Sequence, residues 1–161
     1  MTTKEYNTAV ENYAQDLYRF AYKTLMNQHD AEDVVQLAFE TLWKDIDIVE
    51  SIKVRSYLFT IVYRRCMDIF RMKKNKVFVE VEQVERLAAG NSNYEWKEYL
   101  QKALDTLDGQ TKTLILLKDI EGYKYNEIAE LTGLSLEQVK VYLHRGRKQL
   151  KNFLSIKKQN A

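Results

Sequence analysis

Side chains able to do covalent or metal chemistry are sparse in this chain. Its only histidines, His29 and His144, lie far apart in sequence. Its one cysteine, Cys66, has no partner for an internal disulfide or a Cys–His zinc pair. No glycine-rich phosphate loop or dinucleotide fingerprint occurs among its five scattered glycines. The acids Asp30, Glu32, Asp33, Glu40, Asp45, Asp47 and Glu50 form a block without the alternating ligand order and central glycine of a calcium loop. The sequence therefore predicts no enzyme, no cofactor and no metal site. The remaining chemistry is non-covalent: amides and cations that meet phosphates and base edges.

Such residues gather in Tyr125–Leu150, YNEIAELTGLSLEQVKVYLHRGRKQL. Ala129, Gly133 and Val139 sit at helix-turn-helix offsets. A small residue admits the second helix, a glycine takes the φ > 0 turn, and an apolar residue locks the pair. Ser135 is the expected N-cap of the second helix, and Gln138 completes a capping-box pattern. No acid follows Glu137. A capped helix with a one-signed end suits the DNA major groove. Val139, Leu143 and Leu150 are expected to face inward. Glu137, Gln138, Lys140, Val141, His144, Arg145 and Lys148 then remain for base edges and phosphates.

The elements that must hold this stretch are predicted to be helical throughout. There is no proline to interrupt a helix, and 45% hydrophobic residues can fill cores. A mean hydropathy of −0.48, with no apolar run approaching a span, argues against membrane insertion. The polar N-terminus predicts no signal peptide, and the lone cysteine suits a reducing cytosol, so the expected location is cytoplasmic. Val10, Tyr13, Leu17, Phe20, Ala21 and Leu25 mark a first helix within 4–27. A second is capped by Asp30 and carries the stripe Ala31, Val34, Val35, Ala38, Phe39, Leu42 and Trp43. Lys44–Arg55 is predicted as a connection anchored by Ile46, Ile48 and Ile52. A third helix follows from about Ser56 to Lys74, with Leu58, Ile61, Val62, Cys66, Ile69 and Phe70 inward. Cys66 is expected to pack as a small core residue.

Residues 77–93 alternate apolar and acidic residues before ending in AAGNSN. They are predicted as a linker, either a short strand or a frayed helix, with Glu80, Glu82 and Glu85 able to pair with the basic end of the preceding helix. The second domain begins near Tyr94 with the face Trp96, Leu100, Ala103, Leu104 and Leu107. Asp108-Gly109 marks a turn, and a further helix ends at Gly122. The fold class is thus all-α, two small helical domains joined by a linker. The domains are 1–76 and 94–161, the second containing the helix-turn-helix.

At this point the chain resembles a family. GYKYNEIAELTGLSLEQVKVYLHRGRKQL is similar to the C-terminal promoter-reading domain of the extracytoplasmic-function group of bacterial sigma factors. DAEDVVQLAFETLW and SYLFTIVYRRCMDIFR resemble that group's N-terminal domain. Three motifs in order cover nearly the whole chain. The resemblance implies that the polar face of the second helix (Asp33, Gln36, Leu37 and Glu40) binds the clamp coiled coil of the RNA polymerase core. It implies that loop 44–55 holds a flipped base of the minus-ten element. Tyr63, Arg64, Arg65, Arg71, Lys73 and Lys74 would track the melting strand. The helix beginning at Ser135 would read the minus-thirty-five element with the seven residues named above. An anti-sigma factor is a common further partner in this group. Leu37, Tyr63-Arg64, Asp108 and Val141-Tyr142 depart from the commonest family residues.

Two other readings stand beside this one. A stand-alone regulator would bind duplex DNA through the same helix-turn-helix without polymerase. A helical interaction protein would bind nucleic acid through its basic helices without sequence preference.

Overall fold

The computed structural model describes residues 1–74 and 92–159, apart from the side chains of 74, 92–94 and 156–159. Of the expected linker at 77–93, residues 77–91, with the acids proposed to pair there, lie outside the described residues, whereas 92–93 already belong to the helix Ser92–Asp105. The side chains of Lys157 and Lys158 are also outside the described ones. Among the described residues there are seven α-helices and no strand.

Helix α1, Thr3–Leu25, starts at a reciprocal cap. The Glu5 amide donates to Thr2 Oγ1 at 3.1 Å, and the Thr2 amide donates to Glu5 Oε2 at 2.7 Å. The helix ends at Met26, whose φ of 54° places it in the left-handed region. That tight turn brings Asn27 into extended backbone, and Asn27 rather than Asp30 caps α2, Gln28–Lys44. Its side chain accepts from the Asp30 amide at 2.9 Å, so Asp30 already lies in the first turn.

The connection to α3 includes a 3-10 turn, Ser51–Lys53, and α3 then runs over Val54–Lys74, two residues earlier than expected. Two of the expected anchors fail here, Ile48 and Ile52 being 77% and 88% exposed, whereas Ile46 is half-buried and Val49 and Val54 are buried. The 3-10 turn points Ile52 outward and brings Val54 into the core. In α1 and α2 the predicted stripes are inside, with Leu17, Phe20, Ala21, Val34, Ala38 and Leu42 fully buried. Each large apolar side chain of this kind contributes roughly 1.5–3 kcal/mol by leaving water. Trp43 is the exception: it is half-exposed and meets Tyr6 edge-on at 5.0 Å. Cys66 is fully buried, and desolvation pushes its thiol up to about 12.

The second half contains α4, Ser92–Asp105, α5, Gly109–Ile115, a π-helical turn, Leu116–Ile120, α6, Tyr125–Thr132, and α7, Leu136–Gln159. Asp108 caps α5, accepting from the Thr111 amide and hydroxyl, both at 2.8 Å. Ala103, Leu104 and Leu107 are buried as expected, but Trp96 is 57% exposed, lying beside Tyr99 at the outer edge. Helix α5 packs on α7 where Gly146 lets them touch. A Cβ at Gly146 would lie 2.5 Å from Thr111 Cγ2 and 2.6 Å from Ile115 Cδ1.

The two halves share one apolar cluster extending from Ala9 to Leu143. Helix α3 lies at the junction, packed on α1 and α2 on one side and on α5 and α6 on the other. It therefore buries Phe59 and Tyr63 in addition to the single stripe read from its sequence.

Gly146→Ala should destabilise the chain despite the better helix propensity of alanine. Overpacking of about 1–3 kcal/mol outweighs a gain of about 1 kcal/mol, because Thr111 is short and branched and cannot swing away. A fall in the urea midpoint, with helical circular dichroism retained in water, checks this.

Candidate nucleic-acid interface

The helix-turn-helix forms as its spacing dictates. Gly133 ends α6 with φ 80°, its amide donating to the Ala129 carbonyl at 2.9 Å. Ser135 and Gln138 cap α7 reciprocally: the Gln138 amide donates to Ser135 Oγ at 3.1 Å, and the Ser135 amide to Gln138 Oε1 at 2.9 Å. Val139 and Leu143 are buried, while Leu150 is only half-buried near the far end of the packed region.

All seven side chains assigned to the upstream reader, Glu137, Gln138, Lys140, Val141, His144, Arg145 and Lys148, are exposed on α7. Gln138 is partly committed, since its carbonyl holds the cap. Arg147, one of the basic residues of this end, is also engaged: it donates to Asp119 at 2.8 Å and approaches Tyr125 at 3.5 Å. That bond to Asp119 raises its pKa further and ties α7 to the π-helical turn.

The residues expected to face the clamp come together on α2. Asp33, Gln36, Leu37 and Glu40 are exposed, and the Gln36 amide donates to Glu40 Oε1 at 3.0 Å. They line a groove of about 540 Å³ whose opposite wall is α3, with Arg65, Ile69, Met72 and Lys73. Lys73 closes it with an ion pair to Asp30 at 3.4 Å.

The set assigned to the melting strand is split. Arg65 belongs to the α2 groove, whereas Arg64 and Arg71 line a second groove of about 1000 Å³ between α3 and the second half. Lys73 borders both, and the Lys74 side chain lies outside the described residues. Arg71 is paired with Asp68. Tyr63 is 5% exposed, and its hydroxyl accepts from the Gln110 amide at 3.3 Å, so in this state it cannot meet a base. Burial raises its phenol pKa. The described residues of this set therefore lie on two faces of α3, with Tyr63 buried at the junction.

Loop 44–55 is held by Tyr57, whose hydroxyl donates to Asp45 at the end of α2. Desolvation, followed by that bond and the charge of Asp45, pushes the Tyr57 phenol up to about 12. Ile48 and Ile52 stand out from this loop as exposed apolar tips.

Sequence reasoning overlooked a polar cluster between the halves. Glu121, its side chain 1% exposed, accepts from Arg19 of α1 at 2.9 and 3.1 Å. Arg55 of α3 donates to the Glu121 carbonyl at 3.1 Å and lies 3.5 Å from its carboxylate. The Arg55 guanidinium also lies over the rings of Phe59 and Tyr123, at 4.9 and 4.5 Å. The hydrogen bond that Arg19 donates to Glu121 raises the Arg19 pKa. Glu121 precedes Gly122 in the sequence, which reads only as a helix end; no local pattern ties it to residues 66 and 102 positions away.

A helical fold with an exposed basic helix, α7, and an exposed acidic face on α2 suits a DNA-binding subunit with a protein partner. The family description Sigma-70 region 2 matches residues 9–76, and Sigma-70, region 4 matches residues 97–150. Sigma factor SigV of Bacillus subtilis (strain 168) is 33% identical over 148 residues, covering 89% of this chain and 87% of that protein. ECF sigma factor SigE of Mycolicibacterium smegmatis is 32% identical over 91% of this chain, which spans 60% of that longer relative. In solved structures, RpoE of Bartonella quintana, in complex with the anti-sigma factor NepR, shares the fold. Its TM-score is 0.78 at 22% identity, covering 96% of this chain and 99% of that one. The chain belongs to the sigma-70 family of RNA polymerase sigma factors, within its extracytoplasmic-function group. It is a promoter-specificity subunit and not an enzyme, and the stand-alone regulator is not favoured.

Tyr57→Phe should cost about 1 kcal/mol at neutral pH by leaving Asp45 without its donor. The folded phenol has the higher pKa, so its contribution is complete below the ordinary value of 10.0 and is lost as pH rises towards about 12. The difference in urea midpoint between wild type and variant should therefore shrink between about pH 10 and about pH 12.

Proposed function

We propose that this chain docks on the polymerase core through the α2 face and reads two promoter elements with its two halves. The observation that carries this reading is the match of both family regions, in order, onto the halves bearing the exposed acidic groove and the exposed basic helix. Asp33, Gln36 and Glu40 supply polar and charged contacts to the clamp coiled coil, and Leu37 adds an apolar one. On α7, side chains near the helix start reach base edges of the minus-thirty-five element, and Arg145 and Lys148 meet phosphates.

Minus-ten recognition falls to loop 44–55 and to Tyr63, Arg64, Arg65, Arg71, Lys73 and Lys74. Opening a few base pairs costs a few kcal/mol. Stacking of unpaired bases on aromatic or guanidinium faces returns about 1–3 kcal/mol per base. Each reader alone is weak, and polymerase makes them act together by fixing their separation. The chain works in the cytoplasm, where polymerase is, and an anti-sigma factor is a partner of the same kind as in its relatives. No described helix is long and apolar enough to cross a membrane.

Adding the purified chain to core polymerase should give transcription from a defined promoter set; no transcription and no core binding would refute this reading. Asp33→Arg with Gln36→Ala should abolish co-elution with core while helical circular dichroism is unchanged, since both side chains are exposed. Arg145→Ala should weaken upstream-element binding by about 1–3 kcal/mol without changing core affinity, as measured by titration of holoenzyme on promoter DNA.

A further inference from the structure

We propose that the first turn of α1 and Tyr57 of α3 brace loop 44–55, and that Glu5, Ser51 and Tyr57 are positioning residues for minus-ten recognition. This rests on the reading of that loop as the holder of an unpaired base, and adds the side chains that give it its shape.

Packing alone does not hold the loop. Among residues 44–53 only Val49 is buried, and Ile48 and Ile52 point into solvent. The bonds inside the loop are short-range. The Ile48 and Val49 amides donate to the Asp45 carbonyl at 3.0 and 3.1 Å, and the Lys53 amide donates to the Glu50 carbonyl at 2.9 Å. They make tight turns without fixing where those turns sit on the helices.

Ties to other elements do that. The Tyr57 hydroxyl donates to Asp45, where α2 ends. The Met1 backbone nitrogen donates to the Ile46 carbonyl at 2.7 Å. The Glu5 carboxylate, already held by the Thr2 amide at 2.7 Å, also accepts from the Ser51 hydroxyl; these bonds, the Thr2 one most, lower its pKa. Met1, Glu5 and Ser51 line one cleft of about 230 Å³ between α1 and the 3-10 turn. Tyr6 completes the brace by donating to the Phe39 carbonyl at 3.1 Å and meeting Trp43 edge-on, which fixes the end of α2. The ties enter at Asp45, Ile46 and Ser51 and leave Ile48 and Ile52 facing outward. A loop fixed on both sides of its exposed tip loses little freedom when a base arrives, so more of the contact appears as affinity. Glu5 and Tyr57 act through the loop.

The test uses the full chain, free and in holoenzyme with core polymerase. Tyr57→Phe removes a single oxygen, and Ser51→Ala leaves the Thr2–Glu5 cap of α1 in place. In the free chain, amide hydrogen exchange at 46–53 should be about fivefold faster in each variant than in wild type, the weight of one hydrogen bond. Holoenzyme is then titrated on a promoter fragment that it transcribes. The minus-ten non-template strand is left unpaired, with an abasic site placed at each of its positions in turn. Wild type should lose about tenfold in affinity at the position the loop holds. In either variant that loss should fall to about twofold, because about fivefold has already gone. Losses at other positions and affinity for core should stay as in wild type. Variants that weaken every position alike would show a merely structural role and overturn the proposal. So would a wild-type abasic profile in both variants, or wild-type exchange at 46–53. A holoenzyme that does not transcribe, or a flat abasic profile in wild type, would overturn the reading of the loop as a base holder and the positioning roles with it. Exchange involves neither polymerase nor promoter, so the two failures are told apart.

Discussion

A carboxylate with 1% of its side chain exposed must be met by donors, and Glu121 is that carboxylate. Both of its guanidinium partners come from the first half of the chain, so satisfying one buried group dictates how the halves meet. The local backbone prepares this. The π-helical turn ends with the Glu121 amide donating to the Leu116 carbonyl at 3.0 Å, and the Tyr123 amide donates to the Leu117 carbonyl at 3.0 Å. Gly122 between them adopts φ 79°. One extra residue in the turn rotates Glu121 inward, and a glycine absorbs the reversal that sends Tyr123 onto Phe59.

Once α3 is shared by both halves, its cations cannot form one surface. Arg64 and Arg65 are consecutive, and a helix turns by about 100° per residue, so they project into different grooves. Arg65 faces the acidic wall of α2, and Arg64 faces α5. The same geometry leaves the exposed face of α7 unaffected, because its buried positions, Val139 and Leu143, pack inward while the intervening residues point out.

Helix positions, the reciprocal caps at Ser135 and Gln138, and the turn at Gly133 were legible because each depends on residues a few positions apart. The exposed reading face of α7 followed from the same periodicity. The second buried face of α3 was legible only at Phe59, whose ring reads as core and packs on Phe20 as well as Tyr123. Tyr63 was not legible, because what buries it arrives from residues beyond 100. The exposed Ile48 and Ile52 were misread for a related reason: an apolar residue in a loop has no periodicity to say which way it points. Trp43 and Trp96 show the limit of a stripe, since both lie at its margin, where a large ring rests on the core and remains wet.

The joint between the halves combines two kinds of contact with different consequences. Phe59 on Tyr123 and Phe70 on Gly109 bury apolar surface and supply attraction without much preference for angle. Arg19 and Arg55 on Glu121 supply angle without much net attraction, since taking these charges out of water costs nearly what their pairing returns. Removing only one member would leave the others stranded, so the pair favours two arrangements, fully formed or fully solvated.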